Sequence, residues 1–499
     1  MEKEPIYITT TIPYVNADPH IGFALEAVQA DVIARHARSL GHLVFFSTGS
    51  DEHGQKIWQK ANESGKNVKD YVDEHAKKFD NLKVALNLSN DNFIRTTSAS
   101  HIKAAQHFWE LCQEKGDIEK RAYKGDYCVG CEKFVTEQDL NDRGECPDHP
   151  GGKIETIEEE NYFFKLSRYQ EEILAYLKSE KSIVPSWRRE EAIRFVEAGL
   201  EDFSISRIKE KMPWGVDVPG DPEHVMYVWF DALPNYISTL GWFEDPNDNF
   251  KKFWEEGTTI QCAGKDQIRF QSIMWQGMLM SAGLPLTDTV LYHGFLTSGG
   301  QKMSKSLGNV ISPFDLVDEY GTDAVRYFLL REVTPFEDSD ITLERFKDAY
   351  NANLANGLGN LVSRVMKMSE EYEVRRESPP LNRGGLGWGS RDSISSSGGG
   401  EFQNSRKVEE YLEQYEFGKA FDVIFEIVRI LDQKIQDTKP FSVWKTDQEA
   451  ARKIVRELVA GLSDVAMLLS PFLPQTAEKI EECIRENKKP TNPLFLRKE

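Results

Sequence analysis

Two lysines three residues apart, Lys302 and Lys305, stand in the string Lys302-Met303-Ser304-Lys305-Ser306, with Gly299-Gly300 before it and Gly308-Asn309 after it. A glycine-rich loop carrying two ammonium groups can close over a triphosphate and neutralise the charge that develops as pyrophosphate leaves. About 280 residues earlier, Pro19-His20-Ile21-Gly22 lies between a short β-rich run and a long helical one. A helix start favours phosphate, His20 can donate to a phosphate oxygen, and Gly22 lets a ligand approach the backbone. A third group is Cys128-x2-Cys131-x14-Cys146-x2-His149. Two close pairs across a short loop have zinc-knuckle spacing. Three thiolates and an imidazole would complete a closed, structural tetrahedral shell for one Zn2+. Asp148 is the alternative fourth ligand.

These groups need elements to hold them. Ile6 to Thr10 reads as a buried strand, 23–40 as a helix and Val44-Phe45-Phe46 as the next strand. That order indicates a parallel, doubly wound α/β sheet, which binds ligands at the carboxyl ends of its strands. The cysteine cluster interrupts this rhythm, which resumes at Val225-Met226-Tyr227-Val228-Trp229. The expected division is therefore a sheet domain over 1–114 and 226–345, an insertion over 115–225, and a helical domain over 346–499. Within the last, Leu354, Leu358, Leu361, Val362, Val365 and Met368 form one apolar stripe at helical spacing. Further helices are expected over 408–437, 448–469 and 476–486. The Gly- and Ser-rich run inside 376–406 reads as a flexible loop.

The 499 residues carry a net charge of −20, which lowers the expectation of nucleic-acid binding without excluding a local basic surface. Six cysteines, three of them clustered beside a histidine, indicate a reducing compartment and a metal site rather than a disulfide scaffold. Cys112, Cys262 and Cys483 read as buried thiols. The N-terminus lacks the layout of a signal peptide and no apolar run is long enough to span a bilayer, so a cytoplasmic protein without membrane contact is expected. A monomer is expected.

With both motifs in place, the chain resembles the class I aminoacyl-tRNA synthetases, whose signatures are HIGH and KMSKS. Within that class it is similar to the methionyl-tRNA synthetases. The narrower likeness rests on 11–16 (TIPYVN), 49–54 (GSDEHG), 200–207 (LEDFSISR), 227–232 (YVWFDA) and 292–294 (YHG), in family order along nearly the whole chain. No room remains for the editing domain of the enzymes for valine, leucine and isoleucine, and no appended C-terminal tRNA-binding module is expected.

The resemblance implies a Rossmann-type catalytic domain with a zinc-bearing insertion, followed by an all-α anticodon-binding domain. It implies ATP with Mg2+, methionine and tRNA(Met) as partners. Ile12, Tyr14, Trp229, Ala232, Tyr236 and Gln271 would line the methionine pocket, and Asp51 would hold the ammonium. Gly264 and Asp266 would hold the ATP ribose, and Arg207 would lie near the phosphates and the tRNA end. Asn360 and Arg364 would read anticodon bases, with Phe441 stacking where the family usually has tryptophan. A thioether does pack well on aromatic rings, and a buried ammonium does need an anion.

Three positions depart from the family pattern. Phe23 replaces the last histidine of HIGH, and Gln267 and Gln271 stand where an apolar residue and a histidine are expected. Two other readings share part of the motif set: a small-molecule nucleotidyltransferase, and a tRNA-binding paralogue that has lost activity.

Overall fold

A computed structural model describes residues 3–128, 133–135, 140–147, 151–244, 247–303, 308–374 and 399–499. At its centre is a six-stranded parallel sheet. Its strands are β1 (Ile6–Thr9), β2 (Val44–Ser50), β3 (Asn92–Arg95), β4 (Ile183–Val184), β5 (Thr258–Gly264) and β6 (Thr289–His293), arranged β3-β2-β1-β5-β6-β4. The strands beside β1 are β2 on one flank and β5 on the other, in register from Ile6↔Val44 and from Ile6↔Thr258. The chain therefore leaves the sheet centre in opposite directions from β1 and β5. Their carboxyl ends frame the crevice where such sheets bind ligands.

The helix α1 (Ile21–Ser39) follows β1 and is buried along nearly its whole length, including Glu26, Gln29 and Asp31. A helix buried on all sides must pair its polar groups internally. Asp31 does so with Arg35 at 2.7 Å, with the Ser89 hydroxyl at 2.7 Å and with Arg326 at 2.7 Å.

The expected insertion is less separate than its composition implies. Ile183–Val184 pairs in parallel with Val290 and Leu291, so residues from inside 115–225 form the edge of the main sheet. Ile173, Leu177, Ala192 and Val196 share one core with Phe230 and Trp275. A two-residue strand shows no periodicity, which is why the sequence conceals it. The insertion also holds a four-stranded antiparallel sheet built on the long pair Ile118–Cys128 and Ile154–Phe164.

The segment 225–229 also differs from expectation. Asp221–Met226 is antiparallel to Ser206–Ile208 in a small separate sheet, and the chain then turns into the helix α2 (Val228–Ala232). α3 (Asn235–Ser238) follows directly.

Past 346 every regular element of the described part is a helix, and 487–499 is an irregular tail. A wide π-type turn over Tyr350–Gly359 runs straight into α4 (Asn360–Glu371), and all six residues of the apolar stripe are buried. The 408–437 stretch is two helices, Gly399–Glu413 and α5 (Phe417–Thr438), broken at Tyr415, whose φ is +58°. The loop expected over 376–406 is helical from Gly399 onward. Residues 375–398 lie outside the described part. Gln448–Leu469 forms as expected, and the last helix, Pro474–Glu486, starts two residues early with proline in its first turn.

Candidate active site

His20 is the N-cap of α1. Its backbone is extended, and its Nδ1 accepts the Gly22 amide at 3.1 Å. An accepting Nδ1 leaves the proton of the neutral ring on Nε2, free to donate outward. Burial lowers the imidazole pKa, which keeps that neutral form at physiological pH, although the residue retains solvent access. A Cβ on Gly22 would lie 2.9 Å from His20 Cε1. The glycine thus makes room for the capping imidazole, a closer reason than ligand approach. Phe23, half-buried, packs edge-on against Phe79 with ring centroids 5.6 Å apart, so the departure from HIGH is a packing residue.

The Ile21 amide donates to the Ile311 carbonyl at 3.0 Å and pins the start of α1 to the segment just past the lysine loop. The backbone of Lys302 pairs with Thr297 in a hairpin that precedes that loop. Residues 304–307, Lys305 among them, lie outside the described part, and of Lys302 only the backbone belongs to it. Gly264 ends β5 beside His293 at the end of β6. A side chain at Gly264 would sit 2.7 Å from Asp266 Oδ1, so that carboxylate lies over bare backbone. Gln267, at the position where an apolar residue is expected, donates to Asp266 Oδ2 at 3.0 Å.

Between these groups runs a polar link through Glu26, a residue that no motif flags. Glu26 Oε1 accepts from the Thr11 amide and hydroxyl, each at 2.6 Å, and its Oε2 lies 3.0 Å from His293 Nε2. Burial alone would lower the His293 pKa, but the Glu26 contact outweighs it and raises it.

The positions expected to hold an amino acid come together from four segments. Tyr14 and Asp51 form an isolated parallel bridge, with the Asp51 amide donating to the Pro13 carbonyl at 2.9 Å. Asp51 is buried. Trp229 stands edge-on to Tyr14 at 6.0 Å and stacks flat on Phe270 at 3.7 Å. Ala232 follows Trp229 by about one turn of α2. The fully buried Tyr236 accepts a short hydrogen bond from Gln271 Nε2, and burial raises its pKa. Ile12 reaches the sheet at Gly49, where any Cβ would meet its Cγ2 at 3.0 Å and the Ile94 carbonyl at 2.2 Å. Phe270 is the wall residue that sequence reasoning misses. Lying between the two unexpected glutamines, it carries no motif signal.

Arg207 lies on the small antiparallel sheet, almost fully buried, with its guanidinium 4.4 Å over the Tyr127 ring and Nε 3.5 Å from Glu159. Tyr127 belongs to a small cluster with Tyr227 and Val228, against which Tyr14 and Trp229 pack. Arg207 is therefore linked to the pocket through an aromatic ring. Cys128 and Cys146 are buried together in a small cluster with Val135. Cys131 and His149 lie outside the described residues, among which no group of three or more potential ligands occurs. Burial pushes the Cys112 thiol up to about 12 and that of Cys262 well above its ordinary value, as expected of inert core thiols. Cys483 is half-buried.

In the helical domain Asn360 is exposed, and Arg364 is half-buried in a short ion pair with Asp432 of α5. Phe441 is 53% exposed just past the left-handed Lys439 that ends α5. Trp444, in contrast, is stacked on Tyr372 at 4.0 Å.

A parallel sheet with a histidine-capped helix at its central crevice, and a hairpin leading into a lysine loop tied to that helix, defines a nucleotide-binding domain of the class I tRNA synthetase type. The family "tRNA synthetases class I (M)" matches residues 6–366, and "Anticodon binding domain of methionyl tRNA ligase" matches residues 402–493. The chain belongs to the methionine–tRNA ligase family. It is 39% identical over 497 residues to a methionine–tRNA ligase of Fusobacterium nucleatum subsp. nucleatum, covering 99% of this chain and 76% of that protein. It is 40% identical over 491 residues to that of Thermotoga maritima, covering 97% and 76%. A structure of Mycobacterium tuberculosis methionyl-tRNA synthetase in complex with methionyl-adenylate superimposes with a TM-score of 0.87 at 35% identity, covering 96% of this chain and 94% of that one.

Proposed function

We propose that this chain activates methionine with ATP and transfers it to tRNA(Met), with the residue roles below. The observation that carries the reading is the joining of a buried carboxylate, Asp51, to an aromatic wall, Tyr14 and Trp229, near the carboxyl ends of β1 and β2. Asp51 pairs with the substrate ammonium. Ile12, Tyr14, Trp229, Ala232, Tyr236 and Gln271 enclose the thioether. His20 donates from Nε2 to a phosphate oxygen, Gly264 and Asp266 hold the ribose, and Lys302 and Lys305 close over the departing pyrophosphate, whose charge a bound Mg2+ would help to neutralise.

The methionine carboxylate attacks the α-phosphorus, and the bond to the bridging oxygen of pyrophosphate breaks. The terminal ribose hydroxyl of tRNA then attacks the activated carbonyl and AMP leaves. No group on the protein becomes covalently attached, so positioning and electrostatics carry the rate. Arg207 acts through Tyr127 on the pocket wall and faces the tRNA end. Asn360, Arg364 and Phe441 read the anticodon. Arg364 must exchange Asp432 for a base edge as it binds.

Methionine-dependent exchange of labelled pyrophosphate into ATP, followed by charging of a tRNA with a CAU anticodon, tests both half-reactions. A small-molecule nucleotidyltransferase would pass neither test with methionine, and an inactive paralogue would bind tRNA and fail the first.

Cys128, Cys131, Cys146 and His149 would hold one zinc ion, which supplies a closed structural shell when bound. The joint burial of Cys128 and Cys146 fits such a site. Elemental analysis should find about one zinc per chain, and its chelation should loosen the knuckle before the sheet, because binding and local folding are linked there. Among the described residues no helix is long and apolar enough to cross a membrane. We place the enzyme in the cytoplasm as a monomer, which sedimentation would check.

A further inference from the structure

Asp231 lies between Trp229 and Ala232 on α2, and its side chain is completely buried. Its Oδ2 is 2.7 Å from His53 Nδ1, and its Oδ1 is 3.1 Å from His101 Nε2. The second nitrogen of His101 lies 2.8 Å from the Ser238 hydroxyl on α3. An aspartate in full burial keeps its charge only if neighbours compensate it. Burial alone would raise its pKa, yet the two imidazoles hold it down at about 2.

The cluster ties together three segments that deliver methionine-site residues, two directly at the carboxylate and α3 through His101. His53 is two residues past Asp51. α2 brings Trp229 and Ala232, and Ser238 is two residues past Tyr236. The loop that carries Asp51 is braced on its other side. Glu52 accepts both arms of Arg95, at 2.6 and 2.7 Å, and the Trp214 indole donates to the Glu52 carbonyl at 2.6 Å. His53–Asp231 is a direct polar link between this braced loop and α2.

We infer that Asp231, with His53 and His101, is the positioning residue that sets the separation between the ammonium-binding carboxylate Asp51 and the side-chain wall formed by Trp229, Ala232 and Tyr236. It rests on the methionine-site reading above. Asp231 itself touches no substrate. It fixes which amino-acid length bridges from anion to wall, and so acts on methionine and not on ATP.

The experiment is pyrophosphate exchange with methionine and ATP varied separately. Asp231→Asn and His53→Ala should each raise KM for methionine about tenfold, with KM for ATP within about twofold of the parent. The unchanged ATP constant reports an intact sheet in the same sample. His53→Asn keeps an N–H donor near the Nδ1 position and should restore most of the loss of His53→Ala. If both KM values rise together, or Asn rescues no better than Ala, the cluster is ordinary core and the inference fails. Asp51→Asn serves as the separating control. Should it leave KM for methionine unchanged, the methionine-site reading itself falls. Should it raise KM while Asp231→Asn does not, only the positioning role is lost.

Discussion

The amino-acid pocket and the anticodon surface solve opposite problems. Around the pocket several polar side chains are buried and already paired: Glu26 with Thr11 and His293, Glu52 with Arg95, Asp231 with two histidines. At the far end of the chain Asn360 and Phe441 are exposed, and Arg364 is held by an ion pair that water reaches. A small substrate gives little area for discrimination, so its site must be rigid before binding. An RNA loop brings unpaired base edges and π-faces of its own, so its reader keeps groups in solvent until contact.

The sheet domain and the helical domain are joined at Arg326, and the largest expected effect lies there. Its side chain is completely buried; it donates to the Phe472 carbonyl at 2.7 Å and to the Pro471 carbonyl at 3.1 Å, while pairing with Asp31 of α1. Arg326→Met should cost roughly 3–5 kcal/mol in chemical denaturation, because it takes a buried charge partner from Asp31 and the donor from three core carbonyls, Leu86, Pro471 and Phe472. Burial pushes the Asp31 pKa up, but Arg326 and its other partners leave it below the ordinary value. A depressed carboxylate pKa stabilises the fold above the unfolded value and loses that contribution as pH falls through the folded one. The difference between variant and parent should therefore shrink as pH drops below the usual aspartate range. A difference independent of pH would mean that the ion pair does not join the domains.

Next in size is Lys305→Ala, expected to lower adenylate formation by ~3 kcal/mol with methionine binding nearly unchanged. Near-parental pyrophosphate exchange would remove the lysine loop from the chemistry. Phe441→Ala should cost about 1–3 kcal/mol in charging CAU tRNA, with exchange unaffected. Arg364→Ala should fall on the same side of that division, and Phe441→Trp should be tolerated. Equal charging by Phe441→Ala and the parent would erase the contrast between the two regions. The smallest effect is Phe23→His. Losing the edge contact with Phe79 should cost roughly 0.5–1.5 kcal/mol in a thermal melt. ATP use should not improve; a lower KM for ATP would show that the imidazole reaches the nucleotide.

What the sequence determined by itself was whatever depends on local order. The strand–loop–helix start, the lysine string, the cysteine spacing and the apolar stripe from Leu354 to Met368 are all short-range patterns. Their physics, periodicity and turn chemistry, acts within a few residues. The helix 448–469 forms with the expected bounds for the same reason. Tertiary structure decided what depends on which segments meet. It turned Ile183–Val184 into an edge of the main sheet, put Trp229 on a helix, bonded Gln267 to Asp266 and made Gly22 a space for His20. It also brought His53, His101 and Asp231 together from positions up to 178 residues apart. A buried charge is stable only when its partners arrive in space, and one sequence carries no local mark of which partners those will be.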